Sequence, residues 1–161
     1  MNKLQIFSAI MAVLLLSSCR QVDYGEIPDV VTFQRSYDLN LTSNRDLWSV
    51  NGSILDETIG YKGVIVFRQK SDGAHDDFVA YERACPNDCV SAGGAVSWER
   101  WILAPQCDRC GAQFLILYGG EGWPIDDKQP TNCPLKQYDT YFDGRYVIVS
   151  QIGRASCRER V

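Results

Sequence analysis

From Val30 onward the chain is a succession of short runs rich in Val, Ile, Tyr and Phe, each closed by Gly, Asn, Asp or Pro, and none keeps helical spacing. Runs of that length and composition suit strands, because β-branched and aromatic side chains pack on a pleated surface while the punctuating residues favour turns. Strands are expected over residues 30–33, 61–69, 78–83, 96–98, 101–103, 114–118, 135–141 and 146–150. Residues 71–77, which include Gly73 and His75, read as a polar hairpin loop between two of them. Asp143-Gly144 reads as a tight turn between the last two. The expected class is all-β, with residues 30–151 forming one domain.

The chain begins with Lys3, an apolar run from Ile6 to Leu16, and the small residues Ser17 and Ser18 directly before Cys19. That layout is a secretory signal, and the run falls short of the roughly 20 apolar residues a bilayer crossing needs. Leu16-Ser17-Ser18-Cys19 resembles the lipobox of bacterial lipoproteins. The resemblance implies a signal peptide over residues 1–18, lipidation of Cys19, a polar tether over residues 19–29, and attachment to the cell envelope by acyl chains. Arg20 is unlike the aspartate that retains such proteins in the inner membrane, so the outer membrane is the expected address. Residues 152–161 have no hydrophobic period and resemble the translation of a sequencing adapter, which would set Cys157 and its basic neighbours outside the natural chain.

Setting aside Lys3, then Arg154, Arg158, Arg160 and Glu159, leaves 12 basic against 19 acidic residues, a net charge of about −7. A surface of that sign repels nucleic acid and anionic headgroups, so the expected membrane contact is the lipid anchor alone.

Five cysteines remain inside the domain. Cys85 and Cys89 form one short loop with Pro86, Asn87 and Asp88; Cys107 and Cys110 form another with Asp108 and Arg109. Each loop brings two thiols near one point, as a four-coordinate thiolate site for zinc or iron requires. Between the pairs lie seventeen residues with a strand-like run and Gly93-Gly94, enough for a hairpin that folds one loop onto the other. An exported protein meets an oxidising compartment, however, and there such pairs also end as disulfides. Spacing leaves metal and disulfide both open.

Around these loops the chain resembles the Rieske iron–sulfur domain, from about Tyr61 to Val149. Gly63-Val64-Ile65-Val66-Phe67 and then Phe78 to Pro86 are similar to the family's approach to its first cluster loop. Cys107-Asp108-Arg109-Cys110-Gly111-Ala112-Gln113-Phe114 is similar to its second loop, and Pro134-Leu135 to the segment that covers the cluster. The resemblance implies a Rieske-like antiparallel β-sandwich with a small cysteine-bearing cluster-binding subdomain, a 2Fe-2S centre, and electron transfer to a redox partner protein. The ligands depart from the pattern. Asn87 stands where the first histidine belongs, Cys110 stands in place of the second, and Arg109 replaces a cysteine that staples the loops in some members.

Read through that resemblance, the metal ligands are Cys85, Cys89, Cys107 and Cys110. Four thiolates would hold a 2Fe-2S centre at low potential, near about −400 mV, with no imidazole to titrate. Structural zinc or disulfides in the same loops are the alternatives, and the domain would then serve partner binding.

Cys133 reads as a buried apolar thiol, and Trp98, Trp101 and Trp123 as core filling. His75 reads as a solvated loop residue, and Asp76-Asp77 and Asp126-Asp127 as solvated charge. The glycines at 119, 120 and 122 lack the lysine and following helix of a phosphate cradle. No serine, histidine and acid arrangement suggests catalysis, so an electron carrier or structural domain is expected before an enzyme.

Overall fold

A computed structural model describes residues 27–28, 31–87, 93–98, 104–119, 121–125 and 133–151. The expected signal peptide, Cys19, most of the tether, strand 101–103, Cys89, Trp101, Asp126, Asp127 and the segment 152–161 lie outside the described residues. Among those described, no helix is long and apolar enough to cross a membrane.

The domain is all-β. Six strands make one curled antiparallel sheet: β1 (Phe33–Asp38), β2 (Ser53–Asp56), β3 (Val64–Arg68), β4 (Phe78–Glu82), β9 (Gln137–Phe142) and β10 (Tyr146–Gln151), in the order β1-β10-β9-β4-β3-β2. Four two-residue strands, β5 (Val96–Ser97), β6 (Gln106–Cys107), β7 (Phe114–Leu115) and β8 (Trp123–Pro124), pair as β5 with β6 and β7 with β8. They form a separate cysteine lobe.

Strands β3 and β4 are nearly continuous apolar runs, and the reason is that both of their faces are covered. Alternation sends Val64, Val66, Phe78 and Ala80 into the curl of the sheet, where they meet Tyr37, Leu47, Tyr138, Phe142, Val147 and Val149. The intervening Ile65, Phe67, Val79 and Tyr81 face the lobe and pack with Cys85, Val96, Cys107, Phe114, Ile116 and Leu135. Each large apolar side chain fully buried there contributes about 1.5–3 kcal/mol. The lobe is therefore fastened to the sheet by apolar packing over the outer face of β3 and β4.

The curl arises at β9, which divides its pairing. Gln137 and Tyr138 pair with Tyr81 and Ala80, whereas residues 139–142 pair with β10. The Asp143 turn closes the last hairpin as expected, its carboxylate accepting the N–H groups of Arg145 (2.8 Å) and Tyr146 (2.6 Å).

Several expectations need correction. The first strand starts at Phe33 and runs to Asp38, because β1 is an edge strand with only Tyr37 buried and so carries little apolar signal. Strand β2 and a 3-10 helix over Thr42–Trp48, anchored by the fully buried Leu47, were not anticipated. The strand expected over 114–118 stops at Leu115 and becomes a 3-10 turn over Leu117–Gly119. Asp77 is fully buried, not solvated: its carboxylate accepts the N–H groups of Asp72 and Gly73 at 3.0 Å each and pairs with Arg68 at 3.6 Å.

Candidate metal centre

Strand alternation places the first cysteine. Val79 and Tyr81 point toward the lobe, and continuing the same parity past Arg83 brings Cys85 to that face, where it is fully buried. The backbone then meets the stretch 94–97, which is hydrogen-bonded on both sides. On one side Cys85 N–H donates to Gly94 O (3.3 Å), Val96 N–H donates to Arg83 O, and Ala84 bridges Ala95. On the other, Val96 pairs with Cys107 and Ser97 with Gln106, and Asp108 N–H donates to Ala95 O (3.0 Å). One short strand thus lies between the two cysteine loops and sets Cys85 and Cys107 on its opposite flanks. This is the hairpin the intervening sequence was expected to make.

The second loop is a tight knuckle. Gly111 N–H donates to Cys107 O (3.1 Å) and Cys107 N–H to Ala112 O (2.9 Å), with Gly111 at φ +72°, a conformation glycine adopts without strain. The knuckle turns backbone donors onto sulfur: Arg109 N–H lies 3.5 Å from Cys107 Sγ, and Ala112 N–H is bonded to Cys110 Sγ. Burial alone would push the Cys110 thiol up. Hydrogen bonds from Ala112 N–H, the Asn87 side chain, Cys107 and Cys85 outweigh it and hold Cys110 below the ordinary thiol range. These contacts therefore favour the thiolate at Cys110, the form that binds metal.

The structure brings together three of the four expected ligands: the sulfurs of Cys85, Cys107 and Cys110 all lie within 4.8 Å of one another. Cys89 falls outside the described residues. Cys85 and Cys110 Sγ are 3.7 Å apart. That is well beyond the roughly 2.05 Å of a disulfide. It matches the edge of a tetrahedron, about 3.8 Å, for sulfurs held about 2.3 Å from one ion. Donor type and spacing both fit a thiolate-bound metal. Of the three described cysteines, Cys85 and Cys107 are buried and Cys110 is partly exposed.

Other expected residues fall elsewhere. His75 is exposed, stacked on Tyr141 at 4.5 Å, with Nδ1 2.7 Å from the carbonyl oxygen of Phe142. It precedes β4 and Cys85 follows it, so about seven extended residues, roughly 23 Å, separate the two ends. Cys133 is half-buried, not fully buried as expected, and is not one of the three converging sulfurs. Trp98 packs on Phe67 as core filling (5.4 Å), but Trp123 is 45 % exposed and fills no core.

Sequence reasoning missed two residues that matter here. Asn87, noted only as a departure from the resembled pattern, bonds Cys110 Sγ through its side chain. Glu82 ends an otherwise apolar strand and is fully buried. A carboxylate closing an apolar run just before a Cys-Pro step was the available signal. In comparison with known proteins, no family model matches the chain and no curated protein sequence matches it.

Proposed function

We propose that this is a lipid-anchored envelope protein whose cysteine lobe holds a metal on Cys85, Cys89, Cys107 and Cys110 and passes electrons to a partner protein. The observation that carries the reading is the convergence of three sulfurs from two loops, with N–H groups already turned onto two of them. Iron held there would supply a one-electron couple. The residues' part is to fill every coordination position, which leaves no open site for a substrate, and to favour the thiolate at Cys110. Cys110, the partly exposed one of the three described cysteines, is the edge through which a docked partner would exchange the electron. The Rieske resemblance supports redox use, and Cys19 the anchor.

The resemblance implies a 2Fe-2S centre, whereas the sulfur spacing favours a single ion. In a four-cysteine 2Fe-2S centre the cysteines divide two to each iron and the pairs diverge across the bridging sulfides, so three sulfurs would not gather about one point. A single zinc, redox-silent and structural, is the second reading, supported by the same 3.7 Å spacing.

Metal and labile-sulfide analysis of the full chain, extracted in detergent, tests both. Iron, with or without sulfide, is the expected result. Zinc alone would transfer the case to the structural reading, and four cysteines tied in disulfides with no metal would defeat both.

A further inference from the structure

At the end of β4, three residues ahead of Cys85, the carboxylate of Glu82 is completely buried and four donors close on it. Oε1 accepts the N–H groups of Lys62 (2.8 Å) and Ala84 (3.0 Å), and Oε2 accepts the N–H of Tyr61 (2.6 Å) and the hydroxyl of Tyr138 (2.5 Å). A carboxylate suits this cage because both of its oxygens only accept. A glutamine would turn an NH2 group toward one of the two donor pairs. Space for the group comes from Gly60, at φ +78°, where an added Cβ would stand 2.7 Å from Oε2.

The neighbouring Arg83 leaves the strand on the opposite face. Its Nε donates to Val96 O (3.1 Å), and its Nη1 donates to Lys62 O (3.4 Å) and pairs with Glu57 (3.0 Å). Two consecutive side chains thus grip the same loop from both faces of the strand exit, and one of them reaches the strand that separates the cysteine loops. The cage also spans three distant stretches of chain: the β2–β3 loop, the residue before Cys85, and β9 just past Leu135.

From this we infer that Glu82 is the positioning residue of the cysteine centre: by holding the N–H of Ala84 against the loop at Tyr61 and Lys62, it fixes where the Cys85 sulfur stands. The statement about metal rests on the function proposed above; the statement about Cys85 does not. Glu82 touches neither a sulfur nor a metal. It acts through the backbone of Ala84.

The test uses the full chain in detergent, reduced and stripped of metal, with two readouts. One is cobalt(II) affinity followed by thiolate-to-cobalt absorption. The other is the rate at which iodoacetamide labels Cys85, read by mass spectrometry, with amide exchange of β9 and β10 reporting on the sheet. Glu82→Gln is expected to weaken cobalt binding about 10- to 100-fold, to alter the absorption band, and to label Cys85 about tenfold faster through local opening, with sheet protection unchanged. Tyr138→Phe, which removes one donor and leaves three, should move both readouts the same way by less.

Wild-type labelling and cobalt affinity in both variants would overturn the inference. If Glu82→Gln unfolds the sheet, Tyr138→Phe decides: loosening of Cys85 with the sheet intact upholds the inference, and joint loss of both makes Glu82 a general fold residue and overturns it. If wild-type protein takes up no cobalt while Glu82→Gln still exposes Cys85, the metal reading fails and the positioning role stands.

Discussion

The curled sheet and the cysteine lobe hold themselves together in different ways. The sheet's strands are four to six residues long and pair over four to six residues everywhere but between β4 and β9, where two residues pair, around a closed apolar core. Among the described residues the lobe has four strands of two residues each, joined by isolated bridges and by loop hydrogen bonds such as Phe114 N–H to Pro105 O. Two-residue strands contribute too few ladder bonds to repay the ordering of the loops between them, which costs about 1–2 kcal/mol per residue. What the lobe has instead is its packing on Ile65, Phe67, Val79 and Tyr81 and the convergence of its cysteines. A sheet of this kind is stable by burial, whereas the lobe, on the function proposed above, is completed by coordination.

The sharpest way to break that contrast is to remove one ligand. If the proposed metal is bound, Cys85→Ser, Cys107→Ser or Cys110→Ser should each release it and cost the lobe on the order of 4 kcal/mol or more, because a hard hydroxyl replaces a soft thiolate. Hydrogen exchange should then show lost protection at residues 94–97 and 106–116 with β9 and β10 still protected. Equal loss in both regions would mean that sheet and lobe are one cooperative unit.

Acid should separate the regions in a second way. Burial pushes the Asp56 carboxyl up, but hydrogen bonds from the Thr58 hydroxyl and N–H and from Tyr37, together with the Arg35 charge, outweigh it, and the net shift is downward. A depressed carboxylate stabilises the fold above its unfolded value of about 3.9, and that contribution is lost as pH falls through the lower folded value. Protons compete with metal for thiolates at higher pH. Metal release should therefore precede sheet unfolding on acidification, and Asp56→Asn should flatten the second transition without moving the first. A pH series followed by metal content and far-UV circular dichroism checks both.

The smallest expected effect belongs to His75→Ala. Its ring stacks on Tyr141 at the far end of β4, so metal content should not change, and the potential of an iron centre should stay flat between about pH 6 and 9 in both proteins. A pH-dependent potential abolished by the substitution would place an imidazole at the metal.

The same contrast explains what could be read in the sequence. Strands β3, β4 and β10 were legible because each carries an apolar run, Tyr146 to Val149 in the last, and β9 because Tyr138, Tyr141 and Phe142 recur within six residues. Edge strands β1 and β2 were not, since Phe33–Asp38 buries one side chain and Ser53–Asp56 only its last. Two-residue strands carry no period at all, so β6 and β8 left no trace. The cysteine pairs were plain from spacing, and a hairpin between them was expected from the length and strand-like run of the intervening residues, whereas Gly94 proved to belong to the bonded stretch leading into β5. The roles of Asn87 and Glu82 depend on partners 23 and 56 residues away, Cys110 and Tyr138, which no local pattern reveals.

X-ray absorption at the edge of the bound metal, on full-chain protein purified with its native metal, tests the central claim most directly. The account predicts about four sulfur neighbours at about 2.3 Å around one ion. A short metal–metal shell would instead identify a two-iron cluster, and nitrogen or oxygen filling half the coordination sphere would contradict the four-cysteine centre.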